Sequence, residues 1–235
     1  MEKQLIHVVH GDGLPVASSK GASRRQFLMK TAGLATIGAM ATLTGCDKND
    51  DDNNSGINLG SGDIGILNYA YALEQLEAAF YTMVIASQFS GITASETALL
   101  TDIRDHEIAH REFFKNALGN NAIPALEVNF ASINFANRAS VLNTAKAFED
   151  LGVSAYNGAG KLITNKAYLV IAGQIVSVEA RHAGYIRDLL SNGSFADNTV
   201  VNAQGLDLAK SPSEVLSTAG SFLKSKINAS NLPTS

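Results

Sequence analysis

Six side chains stand in a pattern that could hold metal: Glu74, Glu107, His110, Glu149, Glu179 and His182. Glu107 with His110, and Glu179 with His182, are each spaced i, i+3, which sets both side chains on one face of a helix about a turn apart. Beyond residue 45 the chain has three histidines, and two of them stand three residues after a glutamate. Carboxylate oxygens joined by a pair of imidazoles make a donor set that suits iron or manganese.

His106, Glu107 and His110 also read H-E-x-x-H, the order of many zinc proteases. That chemistry needs His106 and His110 as ligands, Glu107 as general base and a third ligand elsewhere. The string does not continue into the downstream Gly and His of the longer protease motif, which leaves Glu127, in the loop, as the carboxylate for the third position. The protease reading also leaves Glu74, Glu149 and the second E-x-x-H unexplained. The repeating unit is E-x-x-H, and His106 is expected behind the ligands or in solvent.

Helices must position these groups. Apolar residues recur at helical spacing over about 63–89 (Leu67, Tyr71, Ala78, Tyr81, Ile85), 94–118 (Ile103, Phe114, Ala117), 137–157 (Leu142, Ala145, Gly152, Tyr156) and 165–190 (Ala172, Ile175, Ile186, Leu189). Glu74, Glu107, Glu149 and Glu179 fall one on each stripe. A charged carboxylate in an apolar interior costs several kcal/mol unless it is paired or coordinated. Lys and Arg are absent from these stripes, so bound metal is the economical neutraliser. The helices group into two hairpins, each giving one Glu helix and one E-x-x-H helix. The connection between hairpins is long enough to run the length of the bundle, since about 18 residues can reach ~60 Å and a 25-residue helix is ~37 Å long. Ser211, Pro212 and Glu214 fit the N-cap, N1 and N3 positions of a short fifth helix, expected to cap the bundle or to mediate a homodimer.

Two Glu helices, two E-x-x-H helices and one long crossover resemble the ferritin-like di-iron and di-manganese carboxylate proteins. The stretches LEQLEAAFY (73–81), EDLGVSAYNGAG (149–160) and VEARHAGYIRDLL (178–190) are similar to the branch of that family which includes the plant desiccation-related proteins. The resemblance implies an all-α, ferritin-like four-helix bundle with its crossover between helices 2 and 3. It implies two iron ions, alternatively manganese, held by the six side chains, with Glu107 and either Glu149 or Glu179 bridging. Glu77 is an alternative or additional ligand to Glu74. Tyr81, seven residues past Glu74, stands at a Glu-to-Tyr spacing similar to the first helix of bacterioferritins. It is expected either to hydrogen-bond a ligand or donate an electron, or to be only a core aromatic. Many relatives read D-E-x-x-H, with the Asp orienting a histidine; here those positions hold His106 and Val178.

The N-terminus sets the compartment. Residues 1–45 resemble a twin-arginine export signal joined to a lipobox: Arg24 and Arg25 precede an uncharged run, Thr31 to Gly45, that ends in LTGC at Cys46. A run of about 15 residues is short of the ~20 that span a bilayer, so a cleaved signal is expected. The resemblance implies lipid attachment at Cys46 and a membrane-anchored lipoprotein of the periplasm or outer membrane. Residues 46–62, polar and Gly-rich, read as a flexible acidic tether; 63–191 form the bundle, and 192–235 a C-terminal extension with the short helix. One cysteine permits no intrachain disulfide, and a net charge of -4 with no basic stripe argues against nucleic acid. The expected function is oxidation of Fe(II) or reduction of O2 or peroxide at a di-metal centre. The alternative is a metal-poor structural or stress-protection protein without turnover.

Overall fold

The computed structural model describes residues 56–234; the export signal, Cys46 and most of the tether lie outside the described residues. Four long helices dominate: α1 (Gly62–Ala86), α2 (Ala94–Leu118), α3 (Arg138–Gly160) and α4 (Lys166–Leu190). α1 packs antiparallel along α2 and α3 along α4, and α1 also touches α3, giving the all-α ferritin-like bundle expected. Local chemistry sets the ends. Thr93 and Glu96 form a capping box at the start of α2, Thr93 Oγ1 accepting from the Glu96 N–H at 3.1 Å and Glu96 Oε2 from the Thr93 N–H at 2.9 Å. Asn137 and Asn165 cap α3 and α4 through their side-chain oxygens. The first turn of α1 instead supplies Asp63, whose carboxylate accepts from the backbone N–H of Thr164 and Asn165 and so binds the start of one hairpin to the bend of the other. α1 stops at Ala86 rather than near 89, although Phe89, only 2% exposed, still packs into the core from the turn.

Residues 119–137 run back along the bundle as the crossover, beginning with a single 3-10 turn at Gly119–Asn121. Two buried amides of α1, seven residues apart, hold it down. Asn68 Nδ2 donates to Leu59 O and Asn121 O while its Oδ1 accepts from the Ile123 N–H at 3.0 Å. Gln75 Oε1 accepts from the Leu126 N–H at 2.8 Å. The far side of the crossover meets the C-terminal extension, where Lys224 N–H donates to Glu127 O and Asn129 N–H to Phe222 O.

That extension carries α5 (Pro212–Ala219), which opens with the expected Ser211–Glu214 capping box and Pro212, and packs against α3 through buried Val215 and Ala219. At Gly158 of α3 the extension comes so close that a Cβ there would lie 1.8 Å from Lys210 O. One boundary is corrected. The flexible tether does not reach residue 62: β1 (Ile57–Asn58) pairs in parallel with β2 (Ile227–Asn228), and Leu59 is fully buried. Two apolar residues, Ile57 and Leu59, are too few to show a period, yet each burial anchors the chain. Among the described residues no helix is long and apolar enough to cross a membrane.

Candidate metal centre

The four stripes converge at mid-bundle. Glu74, Glu107, Glu149 and Glu179 are each 0% exposed, and His182 is 5% exposed. The donors fall into two overlapping groups, Glu74, Glu107, His110 and Glu179 in one and Glu107, Glu149, Glu179 and His182 in the other, with ligand atoms all within 4.8 Å of one another in each. Glu107 and Glu179 belong to both. Glu149 belongs to the His182 group alone, as Glu74 belongs to the His110 group alone. Each His Nδ1 faces inward: that of His110 lies 2.9 Å from Glu179 Oε1 and 3.4 Å from Glu74 Oε2, and that of His182 2.8 Å from Glu107 Oε1 and 3.1 Å from Glu179 Oε2.

These separations are short, yet most of the atoms make no hydrogen bond. Glu74 Oε2, both oxygens of Glu107, Glu149 Oε2, Glu179 Oε1 and His110 Nδ1 are buried without an aligned partner. Close approach without alignment is what donors aimed at a common centre show, because neighbouring ligands of an ion held at about 2.1 Å sit about 3 Å apart. Buried polar atoms are otherwise almost always paired. The residues present therefore fit a metal.

The remaining carboxylate oxygens are held by two tyrosines in a reciprocal pattern. Tyr81 of α1 donates its hydroxyl hydrogen to Glu149 Oε1 of α3, and Tyr156 of α3 donates to Glu74 Oε1 of α1. Tyr81 thus touches a proposed ligand. Tyr156 plays the same part, and its signal was present in the sequence: it follows Glu149 by seven residues as Tyr81 follows Glu74. Glu77 does not join either group. It is buried beside them, and Gly152 of α3 makes the room, since a Cβ there would lie 3.2 Å from Glu77 Oε1.

Metal-free, the centre manages its charge with protons. Burial, and then the charge of Glu179, pushes the Glu107 carboxyl up to about 8. Burial likewise raises Glu74 and Glu149, and raises Glu77 well above the carboxylate range, reinforced by Glu107 and Glu179. Burial also opposes charge on Glu179, but His110 and His182 outweigh it and hold that carboxyl down at about 2. Desolvation works against both imidazoles too, yet the carboxylates crowded around them keep each protonated well above its ordinary range. Ions entering here would displace those protons.

His106 is not among the inward-facing donors. Its Nδ1 lies 2.9 Å from His182 Nε2, the outer nitrogen of that ring, so the protease arrangement of His106 and His110 on one ion is not formed. One buried cation escaped the sequence reading. Arg187 of α4, 2% exposed, pairs with Asp150 at 3.0 Å on the side of α3 and α4 away from the glutamates and neutralises none of the four.

Comparison with curated proteins finds no match. Comparison with family models matches residues 62–192 to the ferritin-like domain, the span that holds all four long helices and every donor of the centre. The chain belongs to the ferritin-like domain family.

Proposed function

We propose that this chain is a di-metal carboxylate protein of the cell envelope that oxidises Fe(II) or reduces O2 or peroxide. The observation that carries the reading is the pair of donor groups sharing Glu107 and Glu179, each completed by its own glutamate and histidine. Two iron ions held there would supply or accept a pair of electrons, and two manganese ions would serve peroxide disproportionation. The chain's own part is positional. Tyr81 and Tyr156 fix the free oxygens of Glu149 and Glu74, so that each end glutamate offers its other oxygen inward. The surrounding core buries all four glutamates completely. The lipobox-like Cys46 and the paired arginines support export and membrane anchoring.

Anaerobic titration of metal-free protein with Fe(II) should saturate at about two ions per chain. Admitting O2 or peroxide should then yield ferric absorption with matching consumption of oxidant. Two ions bound without turnover would favour the structural, stress-protection role, and no ion bound would remove the di-metal reading. Envelope placement has its own test. Intact mass of membrane fractions from the native host should show an acylated Cys46, and Cys46→Ser should release the protein; a soluble, unmodified mature chain would overturn the anchor.

A further inference from the structure

The two donor groups match in every inward-facing residue: one end glutamate, one histidine, one tyrosine on the end glutamate, and the shared Glu107 and Glu179. They differ behind the histidines. The imidazoles of His182 and His106 lie within 8° of parallel with centroids 5.1 Å apart, while His106 Nδ1 and His182 Nε2 are 2.9 Å apart. That centroid spacing is the nitrogen separation plus a ring radius on each side, so the rings meet edge to edge through a hydrogen bond rather than face to face. For His182 to offer a lone pair at its inward Nδ1, its Nε2 must carry the hydrogen and donate to His106 Nδ1. The counterpart of His106 on α4, immediately before Glu179, is Val178, which has no acceptor. Among the described residues nothing holds the outer nitrogen of His110, whose only partners are the glutamates facing its Nδ1. His110 is also the more accessible ring, its side chain 13% exposed against 5% for His182.

From this asymmetry, and resting on the di-metal reading above, we infer that the centre is unequal: the His182 group holds a resident ion, and the His110 group an exchangeable one. His106 is the positioning residue that makes the difference. It touches neither ion, but it fixes the orientation and tautomer of His182, and outer partners of ligating histidines typically contribute about 10–100-fold to metal affinity. The ring of His110 lacks such a support and must be ordered by the ion itself, so its ion binds second and leaves first.

Co(II) added to metal-free full-length protein and followed by calorimetry and by its visible absorption tests this without recourse to activity. Two steps are expected, the first tighter by about 10–100-fold. His106→Ala should weaken the first step by that factor and leave the second in place, collapsing the two steps toward one. His106→Asn should restore the separation, because Asn Oδ1 is an acceptor at the same reach as His Nδ1 and adds no charge. Two equal steps in the unmodified protein, an equal loss in both steps for His106→Ala, or no rescue by His106→Asn would overturn the inequality while leaving the di-metal reading standing. Failure to bind Co(II) at all in the unmodified protein would sink both.

Discussion

The inner helices, α1 and α3, and the outer helices, α2 and α4, bring equal numbers of carboxylates to the centre in very different settings. α1 is buried over most of its length, from Gly65 to Val84, because the crossover and the C-terminal segment wrap it; α3 buries most of its residues between Val141 and Ala159, leaving Asn143, Ala147 and Asn157 exposed. On α4 the buried residues are few, chiefly Ile175, Glu179, His182 and Ile186, and its outer face carries Leu169, Val170 and Tyr185 in the open. The inner helices supply the end glutamates and the tyrosines that brace them. Both shared glutamates and both histidines come from the outer helices. The frame of the molecule is thus built on one pair and the donors common to both groups on the other, so a change should strike stability or metal binding according to the helix it falls on.

The largest expected effect tests that division at the shared carboxylates. Glu107→Ala and Glu179→Ala each remove a donor from both groups and should abolish binding of both ions, read as metal content per chain. Glu149→Ala on the inner α3 removes one end ligand and should spare an ion in the Glu74–His110 group. If Glu149→Ala emptied the centre as completely as Glu179→Ala, the distinction between end and shared ligands would fail.

Gly158→Ala should be the most damaging change to the frame. The new Cβ would fall on the backbone oxygen of Lys210, which is itself tied by its N–H to Ser154 O at 2.9 Å, so neither strand of chain can give way cheaply. A loss of about 3 kcal/mol is expected from such overpacking, measured by denaturant unfolding, with metal content unchanged in whatever remains folded. Loss of metal without loss of stability would contradict the assignment of α3 to the frame.

Much of this division was legible in the sequence, and the reasons for the exceptions are physical. The stripes, the six candidate donors and the capping box at Ser211 are local patterns, each written within a few turns of helix. The anchor at Ile57–Leu59 is not, because its pairing partner Ile227–Asn228 lies at the other end of the described chain. Asn68 and Gln75 carry no sign that their partners are backbone groups of the crossover. Whether Glu149 or Glu179 is shared depends on which way each carboxylate leans in the assembled bundle, which spacing alone does not determine. His106 was expected behind the ligands or in solvent, and the sequence did not choose between them because its neighbour, His182, lies on another helix.

Metal should reverse the pH dependence of stability. In the metal-free fold Glu107 is raised to about 8 from an ordinary 4.5, and both imidazoles are raised above 6.5. Groups raised in the fold contribute stability that is full below their unfolded values and lost as pH climbs through the folded ones. Glu179, held at about 2, works the other way, but only as pH falls below about 4.5. Between about pH 5 and about pH 8 the metal-free Tm should therefore fall, whereas the metal-loaded Tm should rise as ions displace protons more readily. Glu77→Gln should raise the metal-free Tm near neutral pH and leave about two ions bound, because Glu77 is buried beside the donor groups without belonging to them. Parallel slopes would refute the reversal, and a lost ion in Glu77→Gln would place that carboxylate among the ligands.

The smallest expected effect concerns the tyrosines, and it sharpens the comparison most. Tyr81 and Tyr156 each join α1 to α3 by a hydrogen bond to the other helix's glutamate, so they belong to the frame while touching the centre. Tyr81→Phe or Tyr156→Phe leaves one buried carboxylate oxygen without its donor, at a cost of about 1–2 kcal/mol in the metal-free protein. The bonds lie in different donor groups, so the double variant should lose close to the sum of the single losses if the two braces act independently. Both singles should still bind about two ions, because the oxygens they brace are not the ones turned inward. Were Tyr81→Phe to lose its metal as fully as Glu179→Ala, the tyrosines would have to be counted with the outer helices as part of the metal-holding machinery. A strongly non-additive double variant would show instead that the two inner helices move as one body, each brace depending on the other to keep its glutamate in place.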